Sequence, residues 1–235
     1  MIDFYTLTSP NVRKVHLMLE ECGLDYEMKL VDVWKGDNFQ PEFLKLNPNA
    51  KIPVIVDHDG IDGKPITIFE SGAILLYLAE KTGRFMPTEL RARYQAMQWL
   101  LVQVGTQGPM FGQLGFFSWS AKERSEEAIA RYTTELRRIL KMLDERLGTS
   151  EFIATGEYSI VDMMFYPWVG VRSSAARIGY DIDAYPNLAR WANVIADRPA
   201  SQRVNEMISK IQSVRDNPDP EDFDRLWRRS DAAAR

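Results

Sequence analysis

The sequence predicts an α/β unit followed by an all-helical unit. Three observations carry that expectation. Over roughly the first 80 residues, short apolar or alternating runs of strand type are interleaved with helical periods; no convincing strand pattern follows Phe69; and beyond Gly83 the texture becomes wholly helical.

The elements follow in order. Ile2 to Tyr5 is a short apolar run of the buried-strand kind, and Thr8-Ser9-Pro10-Asn11 reads as a loop feeding a helix with proline in its first turn. That helix carries Val12, Val15, Leu19 and Cys22 on one face and closes at Gly23. Tyr26, Met28 and Leu30 alternate with Glu27 and Lys29, which is strand spacing. A short helix is expected at Pro41 to Leu46. A hairpin follows, built from Ile52 to Val56, a turn rich in Asp and Gly, and Ile66 to Phe69. Glu70-Ser71-Gly72 then opens a helix through Lys81, giving the order βαβ, α, ββα. Two long helical stretches are expected over 88–147, with further helices from Ser159, Pro186 and near Ser201. The expected division is 1–82, 88–215 and a charged tail over 216–235 that lies on the surface or is partly disordered.

Composition narrows the function classes. A net charge of -4 gives no electrostatic reason to expect nucleic acid as a partner, and no apolar run approaches the roughly 20 residues of a membrane span. The N-terminus shows no secretory pattern. With one cysteine, Cys22, and two histidines, neither an intrachain disulfide nor a bound metal is expected, and a reducing cytoplasm fits.

Three segments resemble a known family. Asn47-Pro48-Asn49-Ala50-Lys51-Ile52-Pro53 is similar to the N-P-x-x-x-[IV]-P segment of the glutathione transferases. The run from Phe69-Glu70-Ser71-Gly72 to Tyr77-Leu78 is similar to their E-S-x-A-I-x-x-Y-L helix, and Gly156 to Asp162 to their G-x-x-[ST]-[IV]-x-D cap. Pro10-Asn11 and Gly108 to Gln113 resemble the bacterial nu-class branch, known for glutathione-dependent disulfide reduction. The resemblance implies a thioredoxin-like first domain, a helical-bundle second domain, glutathione as co-substrate and a homodimer.

It also implies site roles. Pro53 would be a cis proline, and the Ile52 main chain would pair with the cysteine unit of glutathione like an extra strand. Glu70 and Ser71, at a helix start whose N–H groups favour an anion, would hold the γ-glutamyl ammonium and carboxylate; a plain helix cap is the other reading of Ser71. Lys51 and Asn38 are candidates for the glycine end, and Arg131 for assistance from the second domain.

The sulfur must become a thiolate. An ordinary thiol ionises near about 8.5, and lowering that by two units needs about 2.7 kcal/mol of preferential stabilisation. The Ser9 hydroxyl, the Asn11 amide and the helix N-terminus behind them can provide it. Both side chains could instead only cap the helix, and Tyr5 is a rival donor that also suits a core. Where redox relatives carry cysteine in this loop, the chain reads Ser9-Pro10-Asn11, so disulfide chemistry must run through glutathione itself.

Of the other reactive side chains, Cys22 reads as a small buried hydrophobe, and His16 and His58 as packed or solvent-facing. Phe111, Phe116, Phe117 and Trp119 suit either an electrophile pocket or packing, and Ser159 with Asp162 forms a folding cap. The leading reading is a glutathione-dependent disulfide reductase. Conjugation to hydrophobic electrophiles, peroxide reduction, and a non-catalytic glutathione-binding module are the alternatives.

Overall fold

The structure is a computed structural model that describes residues 1–214 and 218–228. The described chain falls into two compact units: Met1–Lys81 together with the described residues from Arg203 onward, and Thr82–Gln202.

The first unit is built on a four-stranded sheet in the order β2-β1-β3-β4, from β1 (Ile2–Thr6), β2 (Tyr26–Leu30), β3 (Val54–Asp57) and β4 (Ile66–Phe69). β1 runs parallel to β2 with Phe4 opposite Met28, and antiparallel to β3 with Phe4 opposite Ile55. The parallel pair needs a helical crossover, supplied by α1 (Pro10–Cys22). The antiparallel β3–β4 pair needs only a turn, and Gly60 closes it. A Cβ at Gly60 would stand 2.3 Å from the Lys64 carbonyl oxygen, so no other residue fits.

α1 starts as its sequence requires. Pro10 occupies the first turn, the Val12 N–H donates to Ser9 Oγ at 3.3 Å, and Gly23 ends the helix at φ 65°. Phe4, Val12, Val15, Leu19, Ile55, Ile74 and Leu78 are sealed from solvent and form much of this unit's core. α2 (Pro41–Leu46) and α3 (Ser71–Thr82) complete the βαβ, α, ββα order.

The second unit is helical throughout. α4 (Leu90–Val102) and α5 (Gly108–Gly115) belong to one helical run in which single π turns intervene at Gln103–Gln107 and Phe116–Ser120. α6 (Glu126–Leu147) has Ser125 as its N-cap, and α7 (Ile160–Val169) has Ser159. α8 (Arg172–Ile178) was not anticipated: seven residues with a single buried side chain, Ala175, give too little apolar period to read. α9 (Pro186–Ala196) starts where its proline predicts. Its first free N–H groups, those of Asn187 and Leu188, donate to Asp144 Oδ1 of α6 at 2.8 and 3.0 Å. Trp191, Phe165, Ile139, Leu140 and Ile195 fill the core of this unit.

α10 (Pro199–Ser209) begins slightly before the expected Ser201. Its C-terminal part, counted with the first unit, meets α1 and β2 there: Arg203 is ion-paired with Glu20 of α1 at 2.5 Å, and Tyr26 Oη of β2 lies 3.2 Å from Met207 Sδ.

Within the charged tail expected over 216–235, a helix stands that the sequence pattern does not announce. Pro220–Leu226 form a helix, α11, with a capping box in which Asp219 and Asp222 reciprocally accept each other's N–H. Charge density hid a short helix whose anchors are few but aromatic. Phe223 packs edge-on to Trp34 at 5.7 Å, and Arg225 Nε donates to the Trp34 carbonyl at 3.3 Å. Residues 216, 217 and 229–235 of that expected tail lie outside the described residues.

Candidate functional site

Three chain segments of the first unit carry the predicted site residues. The first is the start of α1. Ser9 and Asn11 are half-buried there. Ser9 Oγ accepts the Val12 N–H, which uses a lone pair and leaves the hydroxyl proton free to be donated elsewhere. The cap and the expected thiolate contact are therefore compatible in one side chain.

The second segment leads from Asn47 into β3. Asn47 Nδ2 donates to the Lys51 carbonyl at 2.7 Å, while its Oδ1 accepts from the Asn49 N–H at 2.9 Å. Ala50 sits at φ 52°, the left-handed region, and the Asn38 side-chain amide holds its carbonyl at 2.8 Å. Ile52-Pro53 is a cis peptide bond. Among the described residues no backbone hydrogen bond is made by Ile52, in a chain where β3 begins only two residues later. An unpaired N–H and C=O at the end of a strand is an open place for an extended ligand.

The third segment is the turn from β4 into α3. Glu70 takes φ 69°, unusual for a side chain of its size, and its carbonyl accepts the Ile74 N–H at 2.9 Å, which makes it the residue that caps α3. Ser71 is then the first residue of the helix, so the plain-cap reading of Ser71 falls. Its buried Oγ accepts from Lys14 Nζ at 3.3 Å. Glu70 Oε1 is 3.5 Å from Asn49 Nδ2, which joins this turn to the second segment.

The remaining predicted residues stand differently. Asn38 is 2 % exposed, and its side-chain amide braces the Ala50 carbonyl while its Oδ1 is buried without a partner. Lys51 has its Nζ 5.4 Å from the ring centre of Trp227, beyond α11, and desolvation lowers its pKa. Arg228 stacks on Phe39 at 4.6 Å nearby. Arg131 lies on α6 of the second unit, where it donates to Glu135 at 2.7 Å. Tyr5 meets Phe43 edge-on and packs against Val31, Phe43 and Val54, a core setting. Cys22 is half-buried at the last turn of α1, with Sγ 4.0 Å from Met18 Sδ.

The sequence reading missed Lys14 altogether. It is 2 % exposed, and burial pushes its pKa down to about 7, with the Glu70 carboxylate acting in the opposite sense. A signal did exist: Lys14 shares its helix face with Leu17 and Met18, three and four residues on, both of them buried.

The N-terminal domain description of the glutathione S-transferases matches residues 8–81, and the C-terminal domain description matches residues 97–199. The chain belongs to the glutathione S-transferase family. It is 46 % identical over 202 residues to the disulfide-bond oxidoreductase YfcG of Escherichia coli, covering 86 % of this chain and 93 % of that protein. Against the disulfide-bond oxidoreductase YghU of the same organism the figure is 39 % over 214 residues, 86 % of this chain and 73 % of that one. Among solved structures, a glutathione transferase from Pseudomonas putida with one glutathione disulfide bound per subunit aligns with a TM-score of 0.81. It is 41 % identical, covering 86 % of this chain and 90 % of that one. A glutathione transferase from Burkholderia graminis, with two glutathione molecules bound per subunit, gives 0.82 at 43 % identity and 89 % of each chain.

The residues of the three segments all fall inside the matched span 8–81. Among the described residues no helix is long and apolar enough to cross a membrane.

Proposed function

We propose that the protein is a glutathione-dependent disulfide reductase whose thiol chemistry is supplied by glutathione alone. The observation that carries this reading is the joint presence of an unpaired Ile52 main chain, a Ser9 hydroxyl with its proton to give, and Glu70-Ser71 at the start of α3. The relatives that bind glutathione or glutathione disulfide, and those named disulfide-bond oxidoreductases, support it. In this reading Ile52 pairs with the cysteine unit, Glu70 and Ser71 hold the γ-glutamyl end, and Lys51 meets the glycine carboxylate. Ser9 and Asn11 donate to the sulfur, Asn38 braces the loop beside the glycine end, cis Pro53 shapes that loop, and Arg131 assists from the second unit.

The reaction balances with two glutathiones. The first thiolate attacks one sulfur of the substrate disulfide, forming a mixed disulfide and releasing the other sulfur as a thiolate that takes a proton. A second glutathione thiolate attacks the glutathione sulfur of that mixed disulfide. This releases the second substrate thiol and forms glutathione disulfide, so both electrons come from glutathione. Cys22, at the far end of α1 from Ser9, has no step in this scheme.

The protein acts as a homodimer in a reducing cytoplasm under the same proposal. Leu90, Tyr94 and Leu101 are large apolar side chains left exposed on α4, at spacings that keep them on one helical face, and they favour self-association. Purified protein assayed with glutathione and hydroxyethyl disulfide, beside glutathione and chlorodinitrobenzene, tests the activity. Turnover of the first is expected, and rapid turnover of only the second would replace reduction by conjugation.

A further inference from the structure

Lys14 is a buried charged side chain of the first unit to which the proposed chemistry gives no task. It stands on α1, three residues after Asn11, so the helix that presents the sulfur donors also carries this ammonium inward. Its Nζ meets Ser71 Oγ across 57 residues of sequence, at the first residue of α3, behind the place where an acidic head would dock. A lysine buried to 2 % is costly unless some negative charge accompanies it, because desolvation penalises the ammonium form.

We propose that Lys14 is a positioning residue for the γ-glutamyl carboxylate: acting through Ser71, it is the counter-charge of that acidic head and takes up a proton as the head docks. The inference rests on the glutathione reading above and deepens it.

The surroundings support the inference. From the β4–α3 turn, the Glu70 carboxylate faces Lys14; on α1 itself, Arg13 and Glu20 are engaged instead with Asn205 and Arg203 of α10. With its pKa lowered to about 7, the Lys14 amine is partly neutral near neutral pH in the ligand-free protein. Ser71 is both acceptor from Lys14 and, through its own proton, donor to a carboxylate, so the hydroxyl transmits the charge without Lys14 leaving the core. A bound carboxylate restores the ammonium, and the proton comes from solvent.

Calorimetry of the full chain with S-methylglutathione, which has no ionisable thiol, tests this at pH 7.5 in two buffers of different ionisation enthalpy. The wild type should take up roughly half to three-quarters of a proton per ligand bound. Lys14→Arg, a permanent cation, should bind with little change in affinity and lose most of that uptake. Lys14→Met should lose the uptake and raise KM for glutathione about tenfold with kcat changed less than about twofold. Uptake near zero in the wild type, or the same uptake in Lys14→Arg, overturns the role of Lys14 while glutathione binding stands, and the wild-type measurement decides even if a variant does not fold. Failure of the wild type to bind S-methylglutathione at all removes the glutathione reading itself, and this inference with it.

Discussion

The start of α7 in the second unit and the starts of α1 and α3 in the first are all helix N-termini built around buried or half-buried polar side chains, yet their hydrogen bonds are arranged to different ends. At α7 the Asp162 carboxylate is fully enclosed and accepts from the Ile153 N–H, the Ser159 N–H, the Ser159 hydroxyl and the Trp191 indole, all between 2.9 and 3.1 Å. Burial pushes its pKa up, and those four donors pull it back. Nothing is left over, and the network closes on itself. At α1 and α3 the same residue types leave capacity unspent: the Ser9 proton, the Ile52 main chain, and a Ser71 hydroxyl that has accepted but not yet donated. A closed polar network is a folding device, whereas an open one at a helix start keeps hydrogen-bonding capacity for a further partner.

That contrast can be broken most forcefully at Asp162. Asp162→Ala strands a buried indole N–H and two backbone N–H groups and should cost about 3 kcal/mol or more of unfolding free energy in urea titration. The surviving folded protein should keep its KM for glutathione. A changed KM with unchanged stability would reverse the assignment.

Next comes the pair Ser9→Ala with Asn11→Ala, which should lower kcat/KM for disulfide reduction about ten- to a hundredfold, at about 1 kcal/mol per lost donor. An unchanged rate would shift the donor role to Tyr5. Ser9→Asp separates the two duties, since aspartate still caps the helix but has no proton to give. It should hold stability within about 0.5 kcal/mol and still lose rate.

A third test concerns His16, where the first unit does enclose an unpaired polar group. Both ring nitrogens are buried without a partner, the ring sits 4.6 Å edge-on from Phe4, and burial, helped by Arg13, lowers its pKa to about 4. The unfolded chain binds a proton near about 6.5 and the folded chain only near 4, so stability falls as pH drops through that window. The loss should reach about 2 kcal/mol at pH 5 relative to pH 7.5, and His16→Leu should flatten it. An equally steep acid profile in the variant would place the sensitivity elsewhere.

The smallest effect is expected at Trp227→Ala. Removing the ring from Lys51 costs a contact of about 0.5–1 kcal/mol, which predicts a two- to fivefold rise in KM for glutathione with kcat unchanged. An unaltered KM would confine Trp227 to packing.

Much of the fold was legible because its signals are local. Pro10 and Gly23 bracket α1 within about four turns, alternation marks β2, and Ser159 with Asp162 announces α7 three residues apart. The site was legible as far as its motifs are contiguous, from Asn47 to Pro53 and from Phe69 to Gly72. Asn38 illustrates the limit. Its residue type suits a ligand contact as well as a loop brace, and its bond to the Ala50 carbonyl at 2.8 Å could not be read from the chain.

By itself, then, the sequence determined the four strands and the longer helices, though not α8 or α11, where α1, α7 and α9 start, and that the loop before α1 carries no cysteine. Periodicity and capping act within a turn or two, so they are written along the chain. The tertiary structure alone decided that Lys14 lies under Ser71, that His16 is sealed against Phe4, and that α11 returns to Trp34 from 189 residues away (Phe223 less Trp34). A buried polar group chooses among partners brought together by packing, and the free energy that selects one depends on what else has left water around it.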